Sequence, residues 1–548
     1  MTGTDTLYSL NHLGEMYHLL FFIPLCTLIT AQATIDLQNA TVSSLVYGYP
    51  LLAWQMFFAP VLERSGANTW SHARELSTPK NRTVVKPNVD TVYSTLIYDL
   101  SQSDVEITIP DIPAENFKLF SFYDPFGVNW ANVGTGGFFE PGTYLIRSSR
   151  TDNGSDVGLQ VINGSEEANV GDLISPTTYG TLLVRWGLNA TNLDLVHQLQ
   201  NECSSQNVEP QNNASSMSAP RLETLVDTFD ATSSPAENVM NLLAQYAPAT
   251  APAATLEAAG ISDTTYTPPP SVNLTLANAT AVSMIAGAAT RPGSSNELNN
   301  GWSARSPQLI GIYGTDYALR ALIAAGGYLA LRNPFAVYPN WANGTSESPG
   351  GPLTLGPDEA ILFTFSGKPP IQDVGFWSMT AYDADSFLIP NDIEVYALGD
   401  RSNLTYPDGS RIYDTETSDS SSNSDDEMFQ ILVQPADVAP PANWTSNWLP
   451  APAGGGQVIA QLRLFAGQPE AIDGSYMYPV VTRISALADE SGTGDNTGSP
   501  TSSSPASAAS GTGDAVASYT AGSSASFTMS GVTSATVYIV VAIAILLQ

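Results

Sequence analysis

The chain reads as mainly β with helical insertions, an α+β protein built from two antiparallel β-sandwich-like domains. Three observations predict this. Short runs rich in Val, Ile, Thr, Phe and Tyr recur between Gly/Pro turns in two separate stretches. Val105-Glu106-Ile107-Thr108-Ile109 alternates strictly, which is the period of a half-buried strand. A length of 548 residues is enough for two or three domains.

The elements follow in order. Leu19 to Ile29 are apolar, and Ala31-Gln32-Ala33 is an A-x-A cleavage site. Residues 1–33 therefore read as a signal peptide, with a mature start near Thr34. Asp5 and Glu15 stand where positive charge is expected, so residues 1–15 read as an extension ahead of Met16. The N-terminal domain, 34–203, opens with a helix over Thr41–Glu63, capped by Thr41 and kinked at Pro50 and Pro60. Short β runs fill Val84 to Arg147, and a strand over Thr181–Trp186 precedes a helix over Leu193–Cys203.

Residues 204–304 read as a Ser/Pro/Ala-rich linker carrying a helix. Ser234-Pro235-Ala236-Glu237 is a capping box with Pro at the first helical position, and Val239, Leu242, Leu243 and Tyr246 form its buried stripe. Residues 248–300 read as weakly ordered. In the C-terminal domain, 305–485, Thr315 caps a helix running to about Leu331, within which Arg320 needs a partner. Strands are expected over Ile361–Phe365, Gly375–Tyr382, Ile393–Leu398, Met428–Val433 and Gln457–Phe465. Asp414–Glu427 is a solvated acidic loop. Residues 486–530 form a Ser/Thr/Gly stalk and 531–548 a tail whose apolar run, Val537–Leu547, ends the chain. Small residues, a spacer and an apolar tail match a GPI signal, with Gly522, Ser523 and Ser524 as attachment candidates. The run is short for a span and lacks a basic stop, which favours GPI over a tail-anchor helix.

The net charge is −33 and charged residues are scarce at 13%. That acidity argues against nucleic acid and anionic lipid as partners; contact with the membrane is expected through the lipid anchor alone. Sequons begin at Asn39, Asn81, Asn153, Asn163, Asn189, Asn213, Asn273, Asn278, Asn343, Asn403 and Asn443. They point to a secreted glycoprotein at the cell surface, GPI-anchored to the plasma membrane or wall. Cys26 falls in the signal peptide, so Cys203 stands alone and reads as a buried structural thiol.

Beyond these patterns, an ordered series of motifs resembles a pair of families. The N-terminal half carries Tyr47-Gly48-Tyr49-Pro50, then Pro87-Asn88-Val89-Asp90-Thr91-Val92-Tyr93-Ser94. Tyr98-Asp99-Leu100-Ser101, Phe120-Ser121-Phe122-Tyr123-Asp124 and the glycines from Gly134 follow. The C-terminal half carries Phe376 to Asp383, Ile389-Pro390-Asn391, Leu398-Gly399-Asp400-Arg401, Asn447 to Pro452, Leu462-Arg463-Leu464-Phe465 and Asp473-Gly474-Ser475. Together they resemble the paired domains of unknown function numbered twelve-fifty-four and twelve-fourteen. The resemblance implies two mainly antiparallel β domains with helical insertions and no established reaction. One departure is Val395, where those families usually place Arg before the Tyr396 position.

The chemistry left to the chain is narrow. After signal removal only His72 and His197 remain, on separate segments, so no metal site, cofactor or Ser-His-Asp triad is expected. Asp90, Asp124 and Asp383 each lie among aromatics, where a carboxyl can hold its proton and act as general acid. They are the candidate catalytic residues. Asn88, Tyr93, Asn129, Arg185 and Asn391 are candidates to orient a ligand's polar groups, and Trp130, Trp377 and Tyr382 to stack on it. Alternation places Asn88 and Asp90 with Val92 on one side of a strand. Three functions fit: a surface protein binding a small-molecule or glycan-like ligand in a pocket between or within the β domains, an extracellular acid–base hydrolase or lyase, and a structural wall glycoprotein. The first is preferred, because no complete catalytic constellation is legible.

Overall fold

The computed structural model describes residues 37–488, apart from 83–85, 150–153, 163–168, 190, 211–218, 229–231, 247–252, 263, 342–351 and 414–426. The signal peptide, the GPI signal, the stalk from residue 489 onward and the acidic loop over 414–426 lie outside the described residues. So do Cys26 and the acceptors Asn153, Asn163, Asn213 and Asn343.

The N-terminal strands are β1 (Trp70–His72), β2 (Thr91–Asp99), β3 (Asp104–Ile109), β4 (Lys118–Tyr123), β5 (Asn129–Gly134), β6 (Gly142–Ser148), β7 (Gly158–Val161), β8 (Gly171–Ser175), β9 (Tyr179–Gly187) and β10 (Ser204–Val208). They form two five-stranded sheets, ordered β1-β2-β9-β4-β5 and β10-β3-β6-β8-β7. All pairs are antiparallel except β6 with β8. Val92, Leu96 and Tyr98 of β2 share one core with Val105, Ile107 and Ile109 of β3. That core seals the sandwich and uses only one face of β2, β9 and β4.

Short strands follow: β11 (Ile261–Ser262), β12 (Thr265–Tyr266), β13 (Ser295–Glu297), β14 (Trp302–Arg305), β15 (Ala336–Val337), β16 (Asn340–Trp341) and β17 (Leu353–Leu355). The C-terminal domain then adds β18 (Glu359–Phe365), β19 (Ile371–Tyr382), β20 (Ala397–Gly399), β21 (Phe429–Pro435), β22 (Trp448–Ala451), β23 (Gly456–Gly467) and β24 (Val480–Ser485). One sheet runs β15-β23-β19-β20, with β17 also on β23, and the other runs β22-β21-β18-β24. Trp377, Met379 and Leu462 pack inward against Phe363, Phe429 and Ile431.

Helices make the third mass. The helical segment Leu37–Ser65 breaks only at Tyr49–Pro50, and 78% of its most apolar 18-residue stretch is buried. It is long and apolar enough to cross a membrane, but burial makes it a core helix here. Thr41 is not its cap; the helix already runs from Leu37, and the Thr41 hydroxyl donates back to the Leu37 carbonyl. The stretch read as linker is largely packed. The helices Pro235–Tyr246 and Leu274–Gly287 bury Val239, Leu243, Ala277 and Ile285 against Trp54 and Phe58. Small apolar residues, which read as low order in isolation, are what lets these helices approach closely. The capping box forms as expected, with Ser234 N–H donating to Glu237 and Glu237 N–H to Ser234. The following C-domain helix, Tyr317–Gly327, is capped by Asp316 rather than Thr315.

The second faces of two sheets meet. Phe117, Leu119, Tyr123 and Leu183 of the N-terminal half pack with Phe335, Phe376 and Phe465 of the C-terminal half. Phe117 and Phe376 sit 4.8 Å apart edge-on, and Phe376 stacks on Phe465 at 4.5 Å. A bulge in β19 between Ile371 and Phe376 aims Phe376 at this seam, with Val374 forced to φ 64. A β-branched residue pays strain in that region, so the neighbouring packing must hold it there.

Candidate functional site

Beside the aromatic seam lies a polar layer built by strand registry. Pairing of Thr91 with Gly187 and Tyr93 with Arg185, and of Arg185 with Leu119, puts Thr91, Tyr93 and Arg185 on one face. Ser121 and Tyr123 share that face by alternation along β4. Opposite them, Ser378 pairs with Arg463 and Thr380 with Gln461. The layer is therefore lined by two β-sheet faces from different domains.

Its C-terminal half is well bonded. Arg463 donates from Nη1 to Thr380 Oγ1 at 3.0 Å and from Nη2 to the Lys86 carbonyl at 3.0 Å. Its guanidinium lies 5.4 Å from the Tyr382 ring, and Tyr382 Oη donates to the Pro87 carbonyl at 2.7 Å. The Lys86 amide in turn donates to Ser386 at 2.7 Å, with Lys86 held at φ 47. The 86–90 segment is thus fastened to the other domain along its length.

Asp90 belongs to this fastening. Ser378 donates to Asp90 Oδ2 at 2.6 Å and Arg401 pairs with Oδ1 at 3.3 Å. Asn88 accepts the Asp90 amide at 2.6 Å. The expected strand alternation does not reach Asp90, because β2 begins at Thr91 and the chain bends before it. Arg401 also donates to the Leu188 carbonyl at 2.7 Å and lies 3.7 Å over the Phe376 ring. Its neighbour Asp400 accepts the Trp377 amide at 3.1 Å. Burial pushes the Asp400 carboxyl up to about 6, with Arg401 opposing and Asp90 adding to the rise.

The N-terminal half is poorly bonded. Thr91 Oγ1, Ser121 Oγ, Tyr123 Oη and Arg185 Nη1 are all buried without a hydrogen-bond partner. Tyr123 Oη lies within hydrogen-bonding reach of both Arg185 and Ser121, but at geometry too poor for a full bond with either. Asn88 Nδ2 is similarly unpartnered. Tyr93 and Tyr338 keep some accessible surface, and Tyr338 lies within electrostatic reach of both Arg185 and Arg463.

The structure separates the candidates. It brings Asn88, Asp90, Tyr93, Arg185 and Tyr382 to the layer. Asp124 is elsewhere and does a structural job: it accepts the amides of Phe126 at 2.9 Å and Val128 at 2.8 Å and faces Arg320. Asp383 caps a turn by accepting the Asp385 and Phe387 amides, and pairs loosely with Arg82 at 3.5 Å. Asn129 spends its amide on Phe122, Ala131 and Asn132. Asn391 closes its own turn through Ile389 and Val395. Trp130 and Trp377 are core, donating to Tyr98 and Tyr413. These residues are not part of the layer, since local turns and core packing consume them. Cys203 is buried, and burial pushes its thiol up to about 12. His72 and His197 remain apart, bonded to Ser94 and to the Arg74 carbonyl. Among the described residues, no group of three His, Cys, Asp or Glu is placed to hold a metal ion.

Sequence reasoning missed Lys86, Ser121, Tyr123, Tyr338, Ser378, Asp400, Arg401 and Arg463 as site residues. One signal was available: Arg463 sits between Leu462 and Leu464 in a strand that is otherwise core. One glycosylation acceptor is also corrected. Asn278 is 5% exposed and bonded to Tyr49, leaving no room for a glycan. Asn39, Asn81, Asn189, Asn273, Asn403 and Asn443 are exposed.

Burial also pushes Asp124 up to about 6, against the pull of Arg320 and backbone amides. Asp124 and Asp400 both bind a proton more tightly folded than unfolded, where the carboxyl value is 3.8. The stability they contribute is fully present below about pH 4 and is lost as pH rises through about 6. Acidifying from pH 7 to pH 5 is therefore expected to raise Tm, and Asp124→Asn with Asp400→Asn to flatten that rise. A melting series across pH 4–8 checks this; an unchanged slope in the double variant contradicts it.

Fold and site together define a two-domain β protein with a polar layer between facing sheets. The family model described as "Protein of unknown function (DUF1254)" matches residues 67–206, and that described as "Protein of unknown function (DUF1214)" matches residues 342–469. The paired-domain resemblance therefore holds. The VPA0106 protein from Vibrio parahaemolyticus is similar in fold, with a TM-score of 0.53 at 15% identity, covering 82% of this chain and 100% of its own. An uncharacterized protein from Burkholderia cenocepacia matches with a TM-score of 0.36 at 12% identity, covering 84% and 99%. No curated protein matches the chain.

Proposed function

We propose that this is a glycosylated cell-surface protein that binds a small-molecule or glycan-like ligand between its two β domains. One observation carries the reading: on one sheet face Thr91 Oγ1 is buried unbonded, and Ser121 Oγ, Tyr123 Oη and Arg185 Nη1 complete no bond of good geometry, reaching only one another. Each such atom costs about 1–3 kcal/mol when buried unbonded. Four in one layer is a cost that folding alone does not require, and a ligand with matching polar groups would remove it. The aromatic neighbours Phe117, Phe376 and Phe465 offer an apolar wall beside them.

Thermal-shift screening of the purified chain against glycans and small acids tests this. At least one compound is expected to raise Tm; no shift across the panel contradicts the reading. A second reading, an extracellular acid–base hydrolase or lyase, is favoured by Asp400, which holds its proton up to about 6 and is coupled to Asp90 through Arg401. Turnover lost in Asp90→Asn while binding persists would select it. The exposed acceptor asparagines support secretion. Phospholipase treatment of cells should release the protein, and retention argues against a GPI anchor.

A further inference from the structure

The ligand's charge follows from counting charges at the layer, an argument that rests on the reading just given. The chain carries 52 acidic against 19 basic residues. Against that excess, Lys86, Arg185, Arg401 and Arg463 gather along one interdomain layer. Asp90 pairs with Arg401, accepts from Ser378, and also faces Arg463. Arg463 is 5% exposed and its bonded partners, Thr380 Oγ1 and the Lys86 carbonyl, are neutral. Arg185 is 6% exposed, and among the described residues no carboxylate forms an ion pair with it.

The groups that act on the Arg185 charge are the phenols of Tyr123, Tyr93 and Tyr338, with Tyr123 also within hydrogen-bonding reach. Burial raises Tyr123 and pushes Tyr338 up to about 12, so both stay protonated donors at neutral pH. A neutral phenol does not balance a guanidinium, and arginine does not shed its proton to escape burial. Lys86 reports the local excess of positive charge: burial, with Arg463 alongside, lowers its proton affinity. Two buried cations from opposite domains thus face a shared tyrosine, Tyr338; Arg185 has no carboxylate facing it, and the one facing Arg463, Asp90, is shared with Arg401.

We propose that the ligand is a small organic anion whose carboxylate or comparable oxyanion is clamped between Arg185 of the N-terminal domain and Arg463 of the C-terminal domain. Arg185 Nη1 and Tyr123 Oη, neither with a well-formed hydrogen bond in the chain, supply two donors for it. The aromatic seam takes the organic body. Because the two arginines belong to different domains, the anion also cements the interdomain contact.

The test uses the full chain at fixed ionic strength, titrated with benzoate, acetate, sulfate and phosphate, and with benzamide as the uncharged match to benzoate. Thermal shift and calorimetry read binding. An anion is expected to raise Tm, with benzamide at least about tenfold weaker than benzoate. Arg185→Met should abolish the anion shift while holding or raising Tm without ligand, because it removes an uncompensated buried charge. If Arg185→Met does not fold, Arg463→Met provides the same comparison. Sulfate and phosphate acting where carboxylates do not would assign the oxyanion to that class. Equal binding of benzamide and benzoate, unaffected by either variant, overturns the anion clamp but leaves the interdomain ligand site standing. No shift with any anion, glycan or amide overturns both.

Discussion

Arg320→Met is expected to destabilise the chain by about 3–5 kcal/mol, among the largest effects of any single change. Arg320 is 5% exposed and donates to the Tyr47 carbonyl at 2.8 Å. Its guanidinium lies 4.5 Å from the Tyr47 ring, 4.4 Å from Phe126 and 4.8 Å from Tyr317. It also supplies the positive charge facing the buried Asp124. Methionine fills part of the volume but leaves Asp124 without its cation. The loss should shrink as pH falls toward 5, where Asp124 takes up a proton. Denaturant unfolding at pH 7.5 and pH 5 measures both; a loss below about 1 kcal/mol at pH 7.5 would show that Asp124 is not held by this charge. The same experiment bears on function, since it tests Asp124 as a structural carboxylate rather than a catalytic one.

Gly399→Ala is the second large effect. A Cβ on Gly399 would stand 2.1 Å from the Trp377 carbonyl oxygen and 2.9 Å from Ser378 Cα. Both are backbone atoms of β19, and Gly399 pairs directly with Ser378. The strand must separate or shift, at a cost of roughly 2–4 kcal/mol. The displacement also moves Asp400 and Arg401, and with them the hold on Asp90. Loss of ligand-induced thermal shift should therefore accompany the fall in Tm. Unchanged melting and binding would show that β20 does not fix the Arg401 position.

Much of the fold was legible because its signals are local. Alternation in Val105–Ile109 gave β3, the Ser234–Glu237 box gave a helix start, and Arg320 declared its need for a partner. The helices between the domains were not legible, since Ala-rich segments carry little period and are ordered by Trp54 and Phe58 from far along the chain. The site was half legible. Asp90 and Arg185 stood out as polar residues in core-like strands, but their partners Ser378, Arg401 and Tyr338 come from the other domain. Spacing along a chain cannot report a layer assembled by two sheets meeting face to face. Asp124, Asp383 and Asn391 misled for a related reason: a turn consumes the same polar side chains that a site would use.

The central claim is that a ligand sits between the two β domains. A crystal structure of the chain grown with the compound giving the largest thermal shift tests it directly. The compound should lie between the β2–β9–β4 face and the β19–β23 face, within hydrogen-bond distance of Arg185 Nη1 and Tyr123 Oη. Density for the compound at any other surface, with those two atoms still unpartnered, would contradict the account.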